Sequence, residues 1–202
     1  MIYPHNKYKD LKVFYTNFKN ESEKLWEGID IDYRLTGLQL QRGTKWLSGL
    51  SDKEINEFEA EMGFAFPEVY KQFLKTMNGT DKDAINVYSN IGEPYTYGTE
   101  YYSYPRDIDL VKEMVNWIYD SFHVTKKQIE ENQIPHILPI MSHRFLIIDR
   151  CETNPVLSMY GNDVILYASS LPAFLVNDVF NHHLSEPNMS YDVNVKFWFD
   201  FD

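Results

Sequence analysis

The chain has 202 residues, 44% hydrophobic and 24% charged, with one cysteine and a net charge of −11. This composition predicts a globular domain with an elaboration, and it excludes a disordered chain, a collagen-like repeat and a disulfide scaffold. The sign of the charge argues against a nucleic-acid binder, which needs a basic stripe to release counterions from phosphate.

The acidity is uneven. Residues 1–50 sum to +2, whereas 51–100 and 151–202 each sum to −6. An acidic body attracts basic partners and speeds their encounter; its plainer role is to keep a protein in solution. The start Met1-Ile2-Tyr3-Pro4-His5 lacks the basic and apolar regions of a signal peptide. The longest apolar runs, such as Phe145-Leu146-Ile147-Ile148, are far below the roughly 18–20 residues that span a bilayer. The expectation is a soluble, cytoplasmic chain with no membrane partner.

In chain order, Leu11, Phe14, Tyr15 and Phe18 recur at i, i+3, i+4 and i+7 and predict an amphipathic helix over 8–27. Residues 30–50 are mixed. Ser51 and Glu54 then form a capping-box pattern, with Ile55, Phe58 and Met62 at helical spacing behind it. Gly63 stands where a helix end needs positive φ. A second helix is expected to start with Pro67 at its first position, to carry Tyr70, Phe73, Leu74 and Met77, and to end at Asn78-Gly79. Residues 78–106 read as a loop. A third helix is predicted over 108–122, capped by Asp107 or Asp109, with a short helical turn after Thr125.

The period then changes. Residues 137–140, 145–148, 156–159 and 164–167 read as four short strands, spaced for antiparallel hairpins. Ser170 and Pro172 open a last helix through about Leu184. Val193, Val195, Phe197, Phe199 and Phe201 alternate with polar residues and Trp198 at a period of two.

No catalytic, cofactor-binding or metal-binding residues stand out. His182 and His183 are adjacent, so a helix would point them about 100° apart. His136 and His143 flank the first strand and read as structural. Cys151 reads as a buried, inert thiol at a strand end. Asp52, Glu54, Glu57, Glu59 and Glu61 form either a solvated helix face or a landing patch for a basic partner. Six of the 15 tyrosines lie between 88 and 104, interleaved with Ser, Gly, Asn and Thr. That mixture suits an adaptable recognition loop, since tyrosine supplies large contact area at low rotamer cost; the rings could equally fold back on the body. The candidate partner-binding residues are therefore Tyr95, Tyr97, Tyr101, Tyr102 and Tyr104, with Glu57 and Glu61.

The pattern Leu50-Ser51-x-x-Glu54-Ile55-x-x-Phe58-Glu59-x-x-x-Gly63-Phe64-x-Phe66-Pro67-x-x-Tyr70-Lys71-x-Phe73-Leu74-x-x-Met77-Asn78-Gly79 resembles the entry motif of the SUKH superfamily. That is the family of the yeast cell-wall assembly regulator and of many bacterial toxin-immunity proteins. Leu138-Pro139-Ile140, Pro155-Val156-Leu157-Ser158-Met159, Asp163-Val164-Ile165-Leu166-Tyr167 and Leu171-Pro172-Ala173-Phe174-Leu175 are similar as well. The resemblance covers roughly 47–180 well and the tail weakly, leaving an N-terminal helical extension over 1–46 before a SUKH-like domain over 47–202. It implies an α+β fold with helices packed on a mostly antiparallel sheet. It also implies a non-enzymatic immunity protein that binds a cognate, basic protein toxin, such as a nuclease, by stoichiometric occlusion. The alternative it implies is a regulatory scaffold of the cell-wall-regulator type.

Overall fold

A computed structural model describes residues 10–88, 95–180 and 193–199. The fold is α+β, and every strand pair within it is antiparallel. Its centre is a four-stranded sheet in the order β6 (Ile137–Met141), β7 (Arg144–Ile147), β8 (Val156–Tyr160) and β9 (Asp163–Ala168). These strands read as apolar runs because the sheet is covered on both faces. Leu138, Ile140, Leu146 and Val156 face one core cluster. Their neighbours Ile137, Phe145, Ile147, Leu157 and Met159 face another. Burying each such side chain contributes about 1.5–3 kcal/mol, so a one-residue slip of register would exchange the two sets.

The first cluster is covered by α1 (Leu11–Trp26), α3 (Glu68–Thr76) and α6 (Leu171–Phe180), which supply Phe14, Tyr15, Phe18, Phe73, Leu74 and Phe174. Trp46, in β2 (Trp46–Ser48), lies among aromatic rings, 5.1 Å from Trp26 and 4.8 Å from Tyr101 between centroids. Its indole N–H donates to Ser22 Oγ at 2.8 Å, which gives the buried donor a partner. The Tyr15 hydroxyl donates to the Val69 carbonyl at 2.9 Å, joining α1 to α3. The second cluster is covered by α4 (Ile108–Ser121), α5 (Lys126–Glu131) and the segment 193–199, whose Trp198 is buried and donates to the Pro135 carbonyl.

Local chemistry sets the helix ends. Ser51 and Glu54 form the expected capping box at the start of α2 (Asp52–Met62), and Thr125 with Gln128 forms a second at α5. Gly63 ends α2 at φ 85°. Pro67 stands one position earlier than expected: it is the cap residue of α3, and its carbonyl accepts from the amides of Tyr70 and Lys71. Asp107 occupies the cap position of α4, but its side chain caps no helix amide. Its carboxylate instead accepts from the Ser103 amide and hydroxyl and from Arg106.

Other expectations are corrected. α3 ends at Thr76 and passes straight into β3 (Met77–Thr80), because Met77 is already extended and pairs with Ser48. Gly79 does have positive φ, but inside that strand, where a Cβ would stand 2.6 Å from the Ser103 Cβ. The expected loop 78–106 contains β3, β4 (Ala84–Asn86) and β5 (Thr96–Gly98). β4 lies between β1 (Leu38–Gln39) and β5 in a small sheet. Such strands are too short to show a period, and their partner is remote in the chain. The alternation over 193–199 is a tight turn closed by reciprocal amide bonds between Val195 and Phe199, with Phe197 at φ 72°. α6 is described to Phe180; the expected continuation to Leu184, like His182 and His183, lies outside the described residues. No helix among the described residues is long and apolar enough to cross a membrane.

Nothing lies within 4 Å of where a Cβ on Gly63 would stand, so a substitution there bears only the backbone cost. Gly63→Val is expected to lower the unfolding free energy by about 1–2 kcal/mol, and Gly63→Asn by less, because asparagine tolerates the left-handed region. Urea midpoints at constant slope read this directly; equal midpoints for all three chains would contradict it.

Candidate partner-binding surface

The tyrosines of the 88–104 segment do not form one surface. Tyr97, 58% exposed, sits on β5 directly opposite Ile85 of β4, so the two share a face of the small sheet. Ala84, the next residue along, is fully buried and marks the inner face. Tyr95 lies just before β5, and its ring stands 5.8 Å from that of Tyr33, which is 61% exposed. Tyr33, Tyr95, Tyr97 and Ile85 thus form an outward aromatic surface. Sequence reasoning missed Tyr33, which is remote in the chain.

Tyr101 is corrected. Its ring is 2% exposed, packed on Trp46, and its hydroxyl donates to Asp178 at 2.9 Å. It offers no surface to a partner, because an isolated bridge pairs its backbone with Met141 and turns the side chain into the core. Tyr102 and Tyr104 fold back on the body. Tyr102 donates to the Ser142 carbonyl, and Tyr104 stacks on Phe58 at 4.7 Å.

The acidic run on α2 is largely engaged within the chain. Asp52 pairs with Lys75, Glu57 with Lys53, Glu59 with Lys71 and Glu61 with Lys112, while Glu54 serves the capping box. Glu59 also accepts from the Phe66 amide, so it braces the turn between α2 and α3. The Lys112 ammonium, and then the Tyr104 hydroxyl, hold the Glu61 carboxyl below its ordinary range. The structure therefore joins Tyr104 to Glu61, and it places Tyr95 and Tyr97 on another element. Glu57 and its partner Lys53 stay exposed, and such pairs are worth less than about 1 kcal/mol, so Glu57 is open to exchange partners.

His136 is held inside the fold by its neighbours. The buried ring lies between two carboxylates, Nδ1 at 2.8 Å from Asp149 and Nε2 at 2.7 Å from Glu130, and Phe64 stacks on it at 4.4 Å. Arg150 pairs with the same Glu130 at 2.6 Å. The group ties α5 to the sheet. It borders a cavity of about 200 Å³ between α2, α4 and α5 whose polar lining mixes both signs: Lys112, Lys126, Glu61 and Glu130. His143 is half-buried beside Tyr160, and burial lowers its pKa. Cys151 is half-buried in the connection after β7 rather than buried, with the Asn194 carbonyl 4.0 Å from its sulfur. Among the described residues, no group of three or more His, Cys, Asp or Glu side chains is placed to hold a metal ion.

Residues 49–177 match the model of the SMI1 / KNR4 family (SUKH-1). No curated protein and no solved structure matches the chain. The matched span runs from just before α2 into α6 and contains Glu57, Glu61 and the tyrosine segment. Tyr33 and α1 precede it.

The group around His136 also lies inside the match, and its response to acid follows from its charges. The Arg150 hydrogen bond holds Glu130 low, and His136 adds to this. Burial opposes ionisation of Asp149, but two hydrogen bonds from His136 and the charge of Arg150 outweigh it. Both carboxyls thus titrate lower folded than unfolded. Their stabilisation is complete above the ordinary carboxylate range, near pH 4, and is lost as pH falls through the folded values. Stability measured from pH 6 to pH 2.5 is expected to fall less steeply in an Asp149→Asn, Glu130→Gln double variant than in the parent chain. Parallel curves would contradict this.

Proposed function

Because the chain belongs to the SMI1/KNR4 family (SUKH-1), we propose that it is a non-enzymatic immunity protein that neutralises a cognate bacterial toxin by covering it. Family membership fits an immunity role or a regulatory one of the SMI1/KNR4 type, and it carries the reading. The outward aromatic face of the β4–β5 hairpin is the observation that favours occlusion of a protein partner. Tyr97, opposite Ile85, and Tyr33, beside Tyr95, present large, rigid rings, the kind of anchor that concentrates binding energy at interfaces.

Charge adds the encounter. A body of net charge −11 steers a basic partner toward it and raises the association rate at low salt. A nuclease toxin fits this chemistry, because its own substrate surface is positive. In this reading the exposed tyrosines hold the complex, and Glu57 and Glu61, released from their surface lysines, meet its rim. The partner is thus a basic protein. The reading invokes no nucleic acid, membrane or cofactor, and it places the chain in the cytoplasm where the toxin acts. The second reading, a regulatory scaffold, rests on the same family match.

The test mixes the chain with the toxin encoded beside it. Activity of the toxin is expected to vanish near a 1:1 ratio. Tyr97→Ala is expected to weaken the complex by roughly 10- to 100-fold, mainly through faster dissociation. Undiminished toxin activity at equimolar ratio would sink the immunity reading. A growth defect on deletion in a strain without that toxin would favour the scaffold.

A further inference from the structure

A groove of about 410 Å³ opens between the end of α1, β1 and α6. Trp26, Ile29, Leu38, Leu40 and Met141 line it, and so do two carboxylates, Glu100 and Asp178. Asp178 accepts the Tyr101 hydroxyl at 2.9 Å. Glu100 has no such help: its Oε2 is buried and meets no hydrogen-bond partner. The charge that acts on both acids is Arg144 of β7. Its guanidinium lies 4.1 Å over the Tyr167 ring and donates to Ser158 Oγ at 2.6 Å, while its Nε is buried and makes no hydrogen bond to Glu100 or to any other group.

A buried carboxylate oxygen without a donor costs several kilocalories relative to water, and such groups are retained where something completes them. The completing group must donate hydrogen bonds and carry positive charge, since a second carboxylate lies alongside. It must also bring hydrocarbon, because the remaining walls are apolar. An anion would be repelled. A hard metal ion would find too few oxygens. A neutral apolar ligand would leave the orphaned oxygen as it stands.

We propose that this groove binds an organic cation of the alkylammonium class. Its ammonium group pairs with the Glu100 and Asp178 carboxyls that line the groove, and its stem lies against Trp26, Leu38 and Met141. The proposal is independent of the immunity reading; either can fail while the other stands.

The groove has its own pH signature. Burial, and then repulsion by Asp178, push the Glu100 carboxyl up to about 8. Burial likewise raises Asp178, against the hydrogen bond from Tyr101 and the charge of Arg144. The groups facing Glu100 are thus Asp178 on α6, Arg144 on β7 and the tyrosines 101 and 102, with Tyr167 acting on Asp178 and Asp30 also lining the groove. Glu100 is mostly protonated near pH 7 and must release that proton to receive an ammonium group. Its ionised fraction rises about tenfold between pH 7 and pH 9, and the affinity should follow, since an alkylammonium stays charged there.

Calorimetric titration with n-pentylammonium chloride is the test, with n-pentanol as the uncharged match and Nα-acetyl-lysine N-methylamide as a lysine side chain in its protein form. Saturable 1:1 binding of the amine is expected, at least tenfold tighter than the alcohol and about tenfold tighter at pH 9 than at pH 7. Glu100→Gln is expected to weaken it at least tenfold without lowering Tm, and Asp178→Asn to weaken it as well. Equal binding of amine and alcohol would overturn the proposal, as would undiminished binding by Glu100→Gln. Should that variant fold poorly, a flat pH dependence in the parent chain overturns it equally. Binding of the blocked lysine as tight as the free amine identifies the cation as a protein side chain; binding of the free amine alone identifies a small molecule.

Discussion

Two-sided burial of the β6–β9 sheet is the constraint from which the rest follows. A sheet with one wet face needs a single layer of helices. This one alternates large apolar side chains to both faces, so it must be covered twice. Leu146 and Val156 call for α1, α3 and α6 on one side; Phe145, Leu157 and Met159 call for α4, α5 and Trp198 on the other. The second cover includes a turn near the end of the chain because α4 and α5 alone leave Tyr119 and Phe122 without neighbours, and Trp198 packs on both. Segments far apart in sequence are therefore bound to one plane, and small surfaces between them are a by-product of how the covers meet.

What was legible in the sequence is what depends on neighbours along the chain. The capping box at Ser51 and the left-handed end at Gly63 rest on residues within one turn of each other. Strands β6 to β8 show as apolar runs because both of their faces are largely dry, whereas the edge strand β9 leaves Ile165 exposed. The β4–β5 hairpin was not legible, since its strands have three residues each and its third strand, β1, comes from far upstream. The alternation near Val195 misled for the opposite reason. It has the right period for a strand, but the chain turns there, because Val195 and Trp198 both have to reach the second core cluster.

The tyrosine segment shows how composition can mark a region and still misassign its members. All six rings look alike in sequence, yet Tyr101 is fixed in the core by a bridge to Met141, while Tyr97 is held outward by its register with Ile85. The two lie four residues apart on different pairings, and which way a side chain faces is set by pairing across the chain. Tyr33 joins the exposed set only because the loop before β1 lies against the start of β5. An exposed aromatic patch of this kind is assembled by topology, and part of it precedes the span that matches the family.

Acidity sorts in the same way. The run on α2 drew attention in the sequence, but its carboxylates are occupied by lysines, by a cap and by the Phe66 amide. Asp107 is held by Ser103 and Arg106, and Asp149 by His136. Glu100 carries no such signal, standing alone between Thr99 and Tyr101, and its neighbour Asp178 lies near the far end of the described chain. Only folding brings the two together, with an oxygen left over. A chain that satisfies its conspicuous acids internally leaves an inconspicuous one unmet, so among the described residues the unpartnered carboxylate oxygen belongs to a groove-lining residue and not to the acidic helix.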